Sequence, residues 1–339
     1  METSTPAERV AWIDVARGVG IICVVTAHVL VDPAINWPLG RFIYLFHMPF
    51  FFMLSGLLQR PAPIGDTLRR RAGALLRPYL FFLILLSLPL LRVDLSHLLH
   101  HQRIGTAEIY DLVFGGQRLT GDFGVFWFVT CLFFAQLAFA ALRQRFGVLD
   151  PKMIAIVLAL GLVGYGLAAE NIVLPWALGI APMAVAFLWL GAVVGEVGIS
   201  PRRTVGAAGV ALALILTVTI VTGRAPSFDM KAYDYGWPVL GVLLAASMSL
   251  GIFGICKMLA AVSVIRLPLT ELGRASLVIM FLHQFIHIRA AHFIGQPVIL
   301  ILVSLGIPTM IYFAIPAWPA LRYLALGERW QRRAAAIAQ

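Results

Sequence analysis

The fold class is decided by residues 12–30, WIDVARGVGIICVVTAHVL, an apolar stretch that nevertheless contains an acid, a guanidinium and an imidazole. Its length and composition predict a membrane-spanning helix. A charged side chain inside a bilayer costs roughly 2.5 kcal/mol or more, so such groups usually face a protein interior or an aqueous cavity. The stretch therefore predicts a helix whose polar face points into a bundle.

The spacing of the polar residues supports this interpretation. At about 100° per helical residue, Arg17 and His28 fall within about 20° of each other and lie about 16 Å apart along the axis. Asp14 lies about 40° from His28 on the same face. Two alternatives remain: Asp14 and Arg17 can form an ion pair that eases insertion, and His28 can be a hydrogen-bonded packing residue.

Composition agrees with a membrane protein. The chain has 339 residues, of which 60% are hydrophobic and 12% charged, and its mean hydropathy is +0.90. A soluble domain has about twice that charged fraction. The net charge of +10 comes from residues that flank the apolar stretches, so it indicates membrane topology and not a nucleic-acid partner. The three cysteines have no ligand spacing, so neither a disulfide framework nor a metal site is predicted.

The apolar stretches predict an all-α, polytopic integral membrane protein with about ten transmembrane helices around a central cavity. The predicted spans are residues 12–31, 41–59, 73–92, 123–142, 153–169, 174–195, 205–222, 237–259, 275–294 and 297–318. With the N-terminus in the cytoplasm, 19 of the 26 Lys and Arg residues fall on the inner side. Both termini are then cytoplasmic, and the predicted organisation is a membrane domain (1–320) followed by a short basic tail (321–339).

The densest basic cluster lies at the start of the third span, in DTLRRRAGALLRPYL (66–80). Guanidinium groups bind phosphate oxygens in pairs and stay charged at any relevant pH. Arg69, Arg70, Arg71 and Arg77 therefore predict a site for a nucleotide-bearing cosubstrate, although membrane topology alone also places arginines here.

Other candidate residues lie in the second, fourth and ninth spans. In RFIYLFHMPFFFMLSGLLQR (41–60), Pro49 is predicted to bend the helix beside His47, and Ser55 with its following glycine either faces the cavity or packs on the first helix. Trp127 lies at a span boundary, where an aromatic-belt residue is the default explanation. His283 either meets His28 across the bundle or bonds to neighbouring backbone.

The two longest predicted loops on the outer side contain polar and aromatic residues. Residues 93–122 contain His97, His100 and His101, for which an aqueous loop is favoured over a metal site. Residues 223–236 combine aromatic and charged side chains, a mixture that suits a sugar, although aromatic residues are also expected at any membrane boundary. The aromatic residues are Phe228, Tyr233 and Tyr235, and the charged ones are Arg224, Asp229, Lys231 and Asp234.

Five motifs together resemble the membrane acyltransferase family 3, and within it the fucose 4-O-acetylase-like branch that modifies exopolysaccharides. They are WIDVARGVGIICVVTAHV, FHMPFFFMLSGLL, RRRAGALLRPYL, FWFVTCLF and LGRASLVIMFLHQ. Where relatives often have Leu-Trp-Phe-Leu, residues 126–129 read Phe-Trp-Phe-Val. The fused hydrolase-like domain of many relatives is not found in this sequence.

The resemblance implies an O-acetyltransferase of the bacterial inner membrane. It would move an acetyl group from cytoplasmic acetyl-CoA to a hydroxyl of an extracytoplasmic or lipid-linked glycan, without a metal. Membrane lipid and polysaccharide-assembly proteins are the other implied partners. The resemblance implies catalytic roles for His28 and Arg17, and CoA binding for Arg69, Arg70, Arg71 and Arg77. The positions of the other candidates add Asp14 to the predicted catalytic residues, and they predict substrate binding for His47, Ser55, Trp127 and His283.

Two other functional classes remain open at this point. A transporter or flippase for a polysaccharide-related substrate would also keep histidines and arginines inside its spans. A non-catalytic subunit of a polysaccharide export complex is the third alternative.

Overall fold

The computed structural model describes residues 6–99 and 106–327, and this part of the chain is a bundle of helices. Its strand-like pairing is limited, within the described residues, to one bridge between Asp229 and Asp234. The helices are α1 (Pro6–Leu30), α2 (Pro38–Tyr44), α3 (His47–Leu58), α4 (Ile64–Arg71), α5 (Arg77–Leu99), α6 (Thr106–Phe114), α7 (Trp127–Arg143), α8 (Pro151–Ala169), α9 (Ala181–Val197), α10 (Pro201–Thr222), α11 (Leu240–Ala260), α12 (Ser263–Ala290), α13 (Pro297–Ala314) and α14 (Pro319–Ala325).

Nine stretches of the described residues are long and apolar enough to cross a membrane. They are Ala11–Leu30, Pro38–Leu58, Ile64–Leu88, Gly121–Arg143, Pro151–Ala169, Pro175–Val197, Pro201–Thr222, Leu240–Ala260 and Pro297–Ala317. Each overlaps one predicted span, so the polytopic all-α fold is confirmed. The remaining predicted span, 275–294, overlaps the second half of α12, a 28-residue helix that ends at Ala290 and has charged residues near both ends.

Two spans differ in detail from the prediction. The second is broken at Leu45 and Phe46, just before Pro49, which lies in the first turn of α3 where proline is tolerated. The third begins at Ile64 and not at residue 73, and it contains a π-helical turn, Ala72–Leu76, between α4 and α5. The arginine cluster is therefore helical and continuous with the apolar part of the third span.

The helices form an inner and an outer set. In Gly121–Arg143, which contains α7, 72% of the span is buried, whereas only 11% of Pro201–Thr222 is buried. α10 therefore lies at the periphery, where it packs on α11. The inner helices α1, α3, α7 and α12 surround the cavity described below.

Two glycines bring α1 against α12 along most of the length of both helices. A Cβ atom on Gly18 would collide with the backbone oxygen of Leu269, and one on Gly273 would collide with that of Asp14. Gly56 makes a similar approach to Leu188 of α9. The packing alternative for Gly56 therefore named the wrong neighbour, because its partner is α9 and not α1.

Candidate active site

A cavity of about 610 Å³ runs between the inner helices. At one end, called here the guanidinium end, it is lined by Arg17, Arg71 and Arg274. At the other, called the loop end, it is lined by Asp229 and Lys231 of the segment between α10 and α11. The lining residues include the exposed Arg274 at the guanidinium end and the exposed Thr120 at the loop end, so the cavity has residues at the protein surface at both ends.

His28 lines this cavity near the loop end. Its Nδ1 lies 2.8 Å from the backbone oxygen of Val24, one turn earlier in α1. Because a carbonyl oxygen only accepts, Nδ1 must donate its hydrogen, and Nε2 of the neutral ring keeps its lone pair. The backbone hydrogen bond thus selects one tautomer and leaves Nε2 as the base or nucleophile.

Two further histidines surround His28. The ring centroids of His283 and His47 lie 5.1 Å and 6.1 Å from that of His28. Each also donates from Nδ1 to the carbonyl oxygen four residues earlier, over 2.9 Å for His283 and 3.1 Å for His47. The Tyr44 ring contacts both His28 and His47. These four rings are called the imidazole cluster below.

The members of the imidazole cluster differ in access. His47 and Tyr44 line the cavity, whereas His283 is fully buried behind His28. The Nε2 of His283 is buried and has no hydrogen-bond partner among the described residues. Both alternatives given for His283 are therefore observed: its ring lies against that of His28, and its Nδ1 donates to a backbone oxygen of its own helix. His283 is therefore a neighbour of His28 that does not line the cavity, and its predicted role in substrate binding stays a prediction.

Ser55 and Trp127 also line the cavity. Ser55 Oγ accepts a hydrogen bond from Nε2 of Gln136, whose backbone oxygen in turn accepts one from Gln59 over 2.9 Å. Trp127 is only 5% exposed and packs inside the bundle. The aromatic-belt explanation for Trp127 is therefore wrong, because the side chain packs inside the bundle and is not exposed on its outer surface.

The guanidinium end contains two ion pairs. Arg17 bonds to Asp14 over 2.9 Å, and Arg274 bonds to Glu271 over 2.7 Å. Arg71 is different, since its Nε is buried and has no hydrogen-bond partner within the described residues. Asp14 and Arg17 therefore form the ion pair that the sequence analysis gave as an alternative. Asp14 holds Arg17 and is not among the residues that line the cavity.

The four arginines of the predicted CoA site lie in three different environments. Arg69 and Arg70 are exposed on α4, and Arg77 lies 3.7 Å from the Tyr323 ring centroid, where it lines a separate groove. Arg71 alone of the four lines the cavity. Arg274 of α12 joins it there. The sequence could not predict that Arg274 lines the same cavity as Arg71, because α12 and the third span are far apart in sequence.

The loop end is built by a segment that folds inward. The ammonium group of Lys231 donates to the backbone oxygens of Leu119 and Gly124, over 2.6 Å and 2.9 Å. Burial lowers the pKa of Lys231 to about 8, although Asp229 beside it opposes this shift. Burial also raises the pKa of Asp229. Lys231 therefore joins the two loops over the imidazole cluster.

The loop aromatics do not form a sugar platform. Phe228, Tyr233 and Tyr235 are 1%, 8% and 2% exposed, respectively, and they pack beneath the loop. The rings are therefore not free to contact a sugar, whereas Asp229 and Lys231 from the same stretch line the cavity. The sequence does contain a feature that indicates this arrangement. Three aromatic residues in one loop favour burial of the loop, and the charged residues between them are then placed inside the protein.

Some predictions lie outside the described residues. These are the side chains of His97, His100 and His101, and the tail beyond residue 327. Among the side chains that are described, no group of three or more His, Cys, Asp or Glu residues is arranged to hold a metal ion.

The fold and site define a class: a multi-pass membrane protein with an imidazole inside a two-ended cavity. Residues 10–320 match the family model of acyltransferase family 3, described as an acyltransferase domain. Because this match covers most of the chain, the protein belongs to acyltransferase family 3 and is a membrane acyltransferase. Comparisons with curated proteins and with solved structures found no match.

The family match confirms the resemblance only at the level of the family. The fucose 4-O-acetylase-like branch stays a prediction, as do the acyl donor, the acceptor and the roles of individual residues.

Proposed function

We propose that this acyltransferase moves an acetyl group from acetyl-CoA to a hydroxyl of an extracytoplasmic or lipid-linked glycan. The observation that carries the proposal is the position of His28. Its Nε2 has a free lone pair and borders a cavity with cationic groups at one end and loop residues at the other.

The guanidinium end fits the phosphates of coenzyme A. Guanidinium groups bind phosphate through charge-assisted hydrogen bonds, and the buried Nε of Arg71 lacks a partner within the described residues. Arg17 and His28 are eleven residues apart, or about 16 Å along α1. An extended pantetheine arm that follows α1 would bring the thioester towards Nε2 of His28.

At His28, a general-base reaction is consistent with the tautomer. Nε2 takes the proton of the acceptor hydroxyl as the oxygen attacks the thioester carbonyl carbon. The carbon–sulfur bond then breaks, and the sulfur takes the proton from the imidazolium ring. The products are an acetyl ester and CoA, and His28 is regenerated as the neutral ring.

A second route starts from the same lone pair. Nε2 attacks the thioester first, CoA leaves, and the acceptor hydroxyl then captures the acetyl group from acetyl-imidazole. Rapid quenching with labelled acetyl-CoA in the absence of acceptor separates the two. Label retained on the protein supports the covalent route, whereas unlabelled protein with active transfer supports the general-base route.

We infer the orientation from the distribution of basic residues. The guanidinium end would face the cytoplasm, where acetyl-CoA is made, with both termini on that side. The loop end would face the outside of a bacterial inner membrane, where glycan chains and polysaccharide-assembly proteins are accessible. The chain would then pass an acetyl group across the bilayer through one cavity.

Purified protein in lipid nanodiscs with radiolabelled acetyl-CoA tests the proposed function. His28→Ala is expected to lower kcat about 100-fold or more, because the general base is lost. His292→Ala is the matched control, since His292 makes the same Nδ1 bond to the preceding turn, over 2.8 Å, but is exposed. A His28→Ala variant with the wild-type rate would contradict the proposal, and CoA-independent substrate movement would indicate a carrier.

The acceptor is identified by a separate measurement. Mass analysis of cell-surface glycans with and without the gene is expected to show loss of an acetyl group from one glycan. An unchanged acetylation pattern would contradict a glycan acceptor, even if purified protein consumes acetyl-CoA.

A further inference from the structure

The loop end of the cavity holds a second group of polar side chains, distinct from the imidazole cluster. Thr120 comes from the segment before α7, Gln284 from α12, and Asp229 with Lys231 from the segment between α10 and α11. Three separate parts of the chain thus place hydrogen-bonding groups around one end of the cavity.

Lys231 has one N–H donor that makes no hydrogen bond within the described residues. An ammonium group has three N–H donors. Two of those of Lys231 bond to the backbone oxygens of Leu119 and Gly124. The third is available to a molecule in the cavity, which Lys231 lines.

Acceptor groups lie beside this donor. Oε1 of Gln284 is buried and has no hydrogen-bond partner in the described part of the chain. Asp229 accepts the backbone N–H of Lys231 on one carboxylate oxygen, over 3.0 Å. An acceptor left unpaired in a buried site costs free energy, so Oε1 of Gln284 favours a ligand that donates hydrogen bonds.

These groups line the same cavity as His28. Lys231 is near enough to interact electrostatically with His28. Asp229 is similarly near Tyr44, whose ring lies 5.7 Å from that of His28. A molecule held by Asp229 and Lys231 would therefore lie in the cavity that His28 lines, and its other groups can extend towards Nε2.

The mixture of donors and acceptors indicates the chemical class of this molecule. An apolar alcohol would leave the third N–H of Lys231 and Oε1 of Gln284 without partners, whereas a compound with several hydroxyls can bond to both and to Asp229. We propose that Lys231, Asp229 and Gln284 form the acceptor subsite and select a polyhydroxylated acceptor over a simple alcohol. This inference rests on the proposed function, since it assigns the acceptor to the loop end.

The test uses the full-length protein in nanodiscs, with a panel of methyl glycosides and 1-hexanol as acceptors. Gln284→Leu and Lys231→Gln are each expected to raise the acceptor KM roughly tenfold while leaving the KM for acetyl-CoA unchanged. Arg224→Gln is the control, because Arg224 is exposed on the same loop and does not line the cavity. Gln284→Leu is the deciding variant, since it leaves the contacts between Lys231 and the loop backbone in place.

Each other outcome overturns one of the two proposals. Unchanged acceptor KM in both variants, or a wild-type protein that acetylates 1-hexanol as well as it does the glycosides, overturns the acceptor subsite. Hydrolysis of acetyl-CoA with no glycoside acetylated overturns it too. If instead no consumption of acetyl-CoA depends on His28, the proposed function itself fails.

Discussion

At the scale of single residues, the backbone decides which nitrogen can react. His28, His47 and His283 each donate from Nδ1 to the carbonyl oxygen four residues earlier, so all three direct Nε2 away from their own helix. Of the three, His28 is the one that lines the cavity without being fully enclosed. The chemistry proposed for His28 therefore follows from its position and not from a special partner.

Arg71 is expected to control binding of the donor. Arg71→Gln should raise the KM for acetyl-CoA about tenfold or more, because a charge-assisted hydrogen bond contributes about 1.5–3 kcal/mol. Arg70→Gln is the matched control, since Arg70 is adjacent in sequence but exposed. Steady-state kinetics at fixed acceptor concentration make the comparison. Equal effects of the two substitutions would show that the arginines act only through membrane topology.

Lys231 is expected to give a pH dependence to acceptor binding. Burial lowers the pKa of Lys231 to about 8, so the ammonium form dominates below that pH and the amine above it. The amine keeps two N–H donors, which the loop carbonyls occupy, and has none for an acceptor. The acceptor KM should therefore rise as the pH increases through about 8.

The charged and titratable groups that face Lys231 are Asp229 and His28. Lys231→Arg separates their effects, because a guanidinium remains charged throughout this pH range. It should remove the increase in acceptor KM near pH 8. Persistence of that increase in Lys231→Arg would assign it to another group.

Sequence alone placed Arg17 and His28 on one face of α1, because helical periodicity is a local property. It did not distinguish Arg71 from Arg69, Arg70 and Arg77, since the direction of each side chain depends on the π-helical turn and on neighbouring helices. The inward fold of the loop that carries Lys231 was also not predicted. It depends on contacts with residues more than a hundred positions away.

At the scale of elements, the crossing of α1 and α12 positions the reactive ring. Gly18 and Gly273 let the two helices approach until the Cβ of any larger residue would meet backbone of the other helix. This contact holds His28 of α1 against His283 of α12. Packing between inner helices is therefore part of the site.

Gly273→Ala is expected to destabilise the protein by about 1–3 kcal/mol, because its methyl group would overlap the backbone oxygen of Asp14. It should also lower kcat by separating the rings of His28 and His283. Gly161→Ala on α8 is the control, since no atom lies within 4 Å of a Cβ there. Thermal unfolding in detergent measures the difference, and equal midpoints for the two variants would refute the close-packing argument.

The elements themselves were largely predictable, because hydropathy identifies long apolar helices. Nine of the ten predicted spans correspond to the apolar stretches of the structure. The errors arose where the chain departs from a regular helix. The break before His47 and the start of the third span at Ile64 both depend on packing that hydropathy does not report.

At the scale of the whole molecule, the two-ended cavity predicts that the acyl donor is used from one face of the membrane only. Membrane vesicles with the cytoplasmic face outward should consume added acetyl-CoA, because we propose that the guanidinium end is cytoplasmic. Sealed vesicles of the opposite orientation should consume it only after permeabilisation. Equal rates in both intact preparations would contradict the proposed orientation, while the His28→Ala comparison remains valid as a test of catalysis.

The bond between His28 Nδ1 and the Val24 oxygen has a kinetic consequence. Turning the imidazole over would break that bond, so the ring cannot present one nitrogen to the donor and the other to the acceptor. Under the proposed function, donor and acceptor therefore converge on the same atom, Nε2, from opposite openings. An acyl chain longer than acetyl would then have to share the space beside this atom with the incoming alcohol.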